Sequence, residues 1–68
     1  MYKTNEKIAE ADLYKLSAKL KYFHNIKIEI DKDDNIYILT YHKEILLIGS
    51  LKEVYKALRT LLHFIILN

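Results

Sequence analysis

The sequence predicts a single small α+β domain in the order αβββα, with an N-terminal and a C-terminal helix packed on a three-stranded antiparallel sheet. Three observations predict it. Asn25 to Asp31 alternates cleanly, with Ile26, Ile28 and Ile30 on one side and Lys27, Glu29 and Asp31 on the other, as a half-buried strand does. Apolar residues recur at helical spacing in the stretches before and after the centre of the chain. Between them a short apolar run, Ile45 to Ile48, ends at Gly49, the only glycine, and is followed by Ser50 and Glu53. That is the S-x-x-E capping box that opens a helix.

Residues 1–68 make one domain. A chain this short buries only about 60% of the surface its unfolded form exposes, so its stability is marginal. There is no cysteine, hence no disulfide, no thiolate metal site and nothing that argues for an oxidising compartment. The domain must rest on apolar burial or on a partner, and its 51% hydrophobic content suits either. Net charge is +2, too mild to argue for nucleic acid by itself. The distribution says more. Residues 1–24 and 51–68 each carry a surplus of two positive charges, and residues 25–50 a surplus of two negative ones.

The first helix is expected over residues 4–22, with Thr4 or Asn5 as N-cap. Ala9, Leu13, Leu16, Leu20 and Phe23 fall on one face, the expected core stripe. Ala11, Tyr14, Ala18 and Tyr22 form a second stripe on the opposite face, where an ordinary surface helix carries charge. His24 and Asn25 close the helix. Asp31 to Asn35 reads as a turn of residues that hydrogen-bond their own backbone.

Ile36 to Tyr41 is the second strand, His42-Lys43 a two-residue turn, and Glu44 to Ile48 the third strand. A plain two-residue hairpin sets position 39 opposite 46 and 37 opposite 48. Tyr37, Leu39, Tyr41, Leu46 and Ile48 then share one sheet face. Ile36, Ile38, Thr40, Ile45 and Leu47 share the other. Both faces are apolar, so a strip of apolar side chains is left uncovered whichever faces in. Because tyrosine tolerates a half-wet site, Ile36 and Ile38 are expected inward and Tyr37, Leu39 and Tyr41 outward. The last helix, from Leu51 to about Leu67, places Leu51, Val54, Tyr55, Leu58, Leu61, Leu62 and Ile65 on a core face. Lys52, Lys56, Arg59 and His63 lie on a narrow stripe away from it. Its final turn, with Phe64 and Leu67, is apolar nearly all round.

No constellation for catalysis is present. There is no cysteine nucleophile, Ser17 sits mid-helix and Ser50 is committed to the cap. His24, His42 and His63 show no metal-ligand spacing. Asp31-x-Asp33-x-Asn35 starts like a calcium loop, but the positions that need glycine and a bidentate glutamate hold Ile36 and His42. No cofactor, metal or membrane span is expected, and with no apolar leader the chain is expected in the cytoplasm.

The αβββα order resembles the double-stranded RNA-binding domain in topology. In that family a glycine-ended third strand leads into a lysine-rich helix start that grips phosphates. Here the stretch reads Leu51-Lys52-Glu53-Val54-Tyr55-Lys56, so the resemblance carries over Lys52 and Lys56 only. Glu53 stands between them, and the loop after the first strand is acidic. Arg59 and His63 extend the stripe along the helix. In size, composition and lack of catalytic residues the chain also resembles anti-CRISPR proteins, which implies a phage- or mobile-element-encoded inhibitor of a host protein.

The expected function is therefore non-enzymatic protein interaction, with a host protein or with a second copy as a homodimer. Tyr14, Ala18, Tyr22, Tyr37, Leu39, Tyr41, Phe64 and Leu67 are the candidate contacts, and Gly49, Ser50 and Glu53 are structural. Nucleic-acid binding through Lys52, Lys56, Arg59 and His63 is the alternative.

Overall fold

The computed structural model describes residues 9–67. The expected N-cap, Thr4 or Asn5, lies outside the described residues. Helix α1 spans Glu10–Ala18 and runs into a π-helical turn, Lys19–Phe23. Strands β1 (Ile28–Asp33), β2 (Ile36–Tyr41) and β3 (Glu44–Gly49) follow, then helix α2, Leu51–Leu67. The sheet order is β1-β2-β3, antiparallel throughout. This is the predicted αβββα architecture.

Helix α1 opens at Ala9, whose backbone is extended and whose carbonyl accepts from the Asp12 and Leu13 amides at 3.0 and 3.4 Å. Glu10 and Asp12 in the first turn oppose the positive end of the helix dipole. The other end closes on a left-handed residue, with a wide capping bond that follows from the π-turn. Asn25 takes the left-handed conformation (φ 59°), and the Ile26 amide donates to the Leu20 carbonyl at 3.0 Å. Leu20 is in the core and Ile26 packs against it.

The wide turn corrects one expectation. Leu13 and Leu20 are fully buried and Leu16 packs against them, but Phe23 is 82% exposed. Each residue of a π-turn advances less than 100° around the axis, so Phe23 is carried off the core stripe. Ala9 is exposed as well, and Ser17 is buried in its stead.

Sheet parity is the second correction. Tyr37 and Leu39 are buried, whereas Ile36 is exposed and Ile38 half-buried. The cause is register. The first turn is only Asp34-Asn35, with Asp33 opposite Ile36. Ile30 then faces Leu39, and Asp31 faces Ile38. Since Asp31 must stay wet, Ile38 is held outward with it.

A bulge near Leu39 and Thr40 shifts β3 by one residue. Leu39 pairs with Leu47 and Tyr37 with Gly49, leaving Leu46 unpaired across the hairpin. Leu47, and not Leu46 or Ile48, is the β3 side chain packed against the core.

The core is Leu13, Leu20, Ile28, Tyr37, Leu39, Val54 and Leu58. Every residue expected on the core face of α2 is buried or packed against this cluster. Both helices lie on one face of the sheet, α1 against β1 and α2 against β2 and β3. The result is a two-layer slab with extents of 36 × 30 × 16 Å.

The capping box forms as expected. The Ser50 amide donates to Glu53 Oε1 at 2.8 Å, and the Glu53 amide donates to Ser50 Oγ at 3.3 Å. Gly49 does not need glycine for its φ, which is not positive. It needs glycine for space. A Cβ there would run into the Glu53 carboxylate and sit 3.3 Å from Glu53 Cβ.

Two stability predictions follow from these turns. Ser50→Ala should cost roughly 0.5–2 kcal/mol, measured by urea unfolding. Gly49→Ala should destabilise the wild type and be better tolerated in a Glu53→Ala background. Equal costs in both backgrounds would show that the Gly49–Glu53 contact is irrelevant. Separately, His42 and Lys43 both have positive φ (52° and 70°), the type I′ pattern that favours Asn-Gly. Relieving Lys43 with Lys43→Gly should stabilise by about 1 kcal/mol, seen as a rise of about 4–8 °C in melting temperature.

Candidate functional site

With parity established, the strands form a grid. Facing the helices are the rows Ile28–Tyr41–Glu44, Ile30–Leu39–Leu47 and Lys32–Tyr37–Gly49. Facing away are Glu29–Thr40–Ile45, Asp31–Ile38–Ile48 and Asp33–Ile36. The open face is therefore divided by strand. β1 contributes a column of three carboxylates, and β2 and β3 contribute aliphatic columns.

Nothing among the described residues covers these aliphatics. Ile36 is 50%, Ile45 63%, Leu46 57% and Ile48 56% exposed. Four large aliphatics on one surface are unusual, since such residues normally appear singly on monomers. The apolar strip expected on the sheet is thus present, but it is made of isoleucines and Leu46 and not of the tyrosines.

The other predicted contacts divide as follows. Tyr37 and Leu39 are core residues and leave the candidate set. Tyr41 is at the margin, its ring edge-on to His42 with centroids 4.3 Å apart. On α1, Tyr14 is exposed and Ala18 half-buried, and Tyr22 on the π-turn is exposed. On α2, Phe64, Ile66 and Leu67 are exposed. Lys52, Lys56, Arg59 and His63 are all exposed. Among the described residues the ion pairs are Lys21–Glu29 at 3.2 Å and Lys32–Glu10 at 3.0 Å, so no carboxylate neutralises the α2 stripe.

Tyr37 reaches its inward place through a polar contact that sequence reasoning missed. Its hydroxyl donates to Glu10 Oε2 at 2.7 Å, and Lys32 Nζ lies 3.0 Å from the same oxygen. Lys32 also lies 5.8 Å from the Tyr37 ring centroid. Glu10 is at the start of α1 and Lys32 is on β1, so the trio joins helix to sheet. The Tyr37 hydrogen bond, with that from Lys32, holds the Glu10 carboxyl below its ordinary 4.5. The Glu10 carboxylate, together with burial, raises the Tyr37 hydroxyl above its ordinary 10.0. Glu10 likewise raises Lys32 above 10.5.

A concavity of about 520 Å³ lies where the π-turn meets β1, lined by Lys21, Tyr22, Lys27, Glu29, Thr40 and Lys43 among others. Its charges are mixed, and the Lys21–Glu29 pair spans part of it. Among the described residues no group of three or more His, Asp or Glu is placed to hold a metal ion. No helix of the described residues is long and apolar enough to cross a membrane. Comparison with protein-family models, curated proteins and solved structures gives no match.

The polar trio makes stability depend on pH at both extremes. Glu10, lowered on folding, contributes stability above about pH 4.5 that is lost as pH falls through its folded value. Tyr37 and Lys32, raised on folding, contribute stability below about pH 10 that is lost as pH rises through their folded values. Tyr37→Phe should lower the urea midpoint at pH 7 and flatten both the acid and the alkaline limbs. Superimposable pH profiles for wild type and variant would remove the trio as a latch.

Proposed function

We propose that this chain is a small non-enzymatic protein-interaction module whose working surface is the open face of the sheet. One observation carries the reading: the exposed aliphatics Ile36, Ile45, Leu46 and Ile48 stand beside the carboxylates Glu29, Asp31 and Asp33 on one surface. Full burial of an isoleucine or leucine is worth about 1.5–3 kcal/mol. These side chains are already partly covered, so each offers roughly 1 kcal/mol on docking. Together they offer about 4 kcal/mol, at the lower end of the ~4–15 kcal/mol that association costs. The aliphatics supply a sticky centre, and the charges at its edge select the partner. An inhibitor that caps an apolar and basic patch on a host protein is one form of this reading.

The α2 stripe favours a second reading. Lys52, Lys56, Arg59 and His63 are exposed on one side of an uninterrupted helix, with no acidic partner among the described residues. Such a stripe suits a phosphate backbone. The carboxylates that cover a third of the open face weigh against nucleic acid lying there.

The two readings are separated by Ile45→Lys with Ile48→Lys. The first predicts that the wild type binds a hydrophobic dye and that the double variant loses most of that signal, with an unchanged circular-dichroism spectrum. Undiminished dye binding in the variant counts against the open face. Binding of duplex RNA or DNA that falls steeply with salt, and is lost in Lys56→Glu plus Arg59→Glu, would favour the second reading.

A further inference from the structure

We infer that a second copy of this chain covers the open sheet face, and that it does so with its helical layer, so that copies stack head to tail. The inference rests on reading the open face as a docking surface. It adds the occupant and the mode of contact.

The first argument is shape. The molecule is a slab only 16 Å thick with broad faces of 36 × 30 Å. Each broad face spans on the order of 1,000 Å², against about 800 Å² per partner in a standard stable interface. One broad face is the open sheet and the other is the outer side of the two helices. A second layer of helices is one of the ways a sheet's other face is covered in α/β folds, and this chain exposes a helical layer of its own.

Charge is the second argument. The open face runs from carboxylates on β1 to aliphatics on β3. The outer side of α2 runs from Lys52, Lys56 and Arg59 to Ile66 and Leu67. The lengths agree. Two strand spacings separate β1 from β3, about 9.6 Å. Seven residues separate Arg59 from Ile66, about 10.5 Å along a helix. An α2 helix laid across the strands sets Arg59 over the carboxylates, His63 over β2, and Ile66 and Leu67 over Ile45 and Ile48. The same contact brings the Ala11, Tyr14 and Ala18 side of the neighbouring α1 toward the sheet. Its small residues permit close approach.

Sheet-to-sheet pairing fits less well. Centred on β2, a two-fold axis along the strands lays each acidic column on the other copy's β3 aliphatics. An axis across the strands lays carboxylates on carboxylates. Both leave charge buried without a partner. The helix-on-sheet contact joins faces on opposite sides of a slab, so copies stack in an open series and leave a free face at each end.

The test is light scattering across a concentration series, from micromolar to millimolar. The wild type should rise past twice the 8.1 kDa monomer mass without a plateau, and less steeply in high salt. Asp31→Lys with Asp33→Lys should stay monomeric, as should Lys56→Glu with Arg59→Glu. An equimolar mixture of these two variants should recover the growth: the intact helical face of the first meets the intact sheet face of the second, and at the alternate contact the reversed charges, lysines on the sheet and glutamates on the helix, again complement each other. That recovery also requires both to be folded, which circular dichroism checks independently. A plateau at the dimer, or a mixture of folded variants that stays monomeric, overturns the inference. A wild type that is monomeric throughout also overturns it. If dye binding still depends on Ile45 and Ile48 in that case, the open face remains a docking surface for another protein.

Discussion

The hydrogen bond from Tyr37 to Glu10 is the contact on which the arrangement of this domain turns. Tyrosine can sit on the helix-facing side of the sheet only if its hydroxyl finds an acceptor there, and the first turn of α1 supplies one at 2.7 Å. Once Tyr37 faces in, the two-residue period of a strand takes Leu39 in with it and puts Ile36 and Ile38 outside. The paired strands must follow. Ile28 and Ile30 go inward while Glu29, Asp31 and Asp33 go outward, and β3 is recruited through Leu47. The same carboxylate also receives Lys32, so one side chain on α1 holds two strands. Register and this hydrogen bond select the same parity, and the composition of both faces of the slab follows from it.

Much of this was legible in the sequence, and the exceptions have physical causes. The faces of α2 could be read because seventeen regular residues keep a 100° step from Leu51 to Leu67. The capping box could be read because its chemistry is local. Phe23 could not be placed, since nothing in Lys19–Phe23 announces a π-turn and periodicity assumes a constant step. Sheet parity was within reach and was missed through one turn. Treating all of Asp31 to Asn35 as loop disconnects β1 from β2. Treating Asp34-Asn35 alone as the turn sets Asp31 opposite Ile38, and the wet face of β1 then identifies the wet face of β2. The bulge in β3 had no sequence signal, because Ile45 to Ile48 is apolar in either register. Gly49 was identified as a junction, but its reason is the space that the Glu53 carboxylate occupies.

The surplus apolar surface follows from size. Two helices and three strands make two layers, and two layers bury one side of a sheet. A third layer would take more chain than the described residues provide. The usual remedy in such domains is an open face that is polar, and β1 adopts it. β2 and β3 do not. Selection for solubility alone would replace Ile36, Ile45 and Ile48 with the threonines and lysines that suit an exposed strand. They yield nothing to the core, which contains none of them.

The edges of the sheet differ from its open face. β1 is an edge strand rich in charge, which discourages pairing with another chain. β3, the other edge, has no charge from Ile45 to Gly49, and a bare apolar edge invites strand addition. The bulge at Leu46 interrupts it. A strand that is locally bent and over-twisted is a poor template for a straight partner. The fold therefore blunts both edges and leaves the face open. On the proposed reading, association is directed away from the backbone and toward side chains, where charge can discriminate between partners. A face graded from carboxylate to aliphatic is complementary to a surface graded the other way, and α2 of the same chain carries that gradient, which is why the proposed stacking joins these two faces.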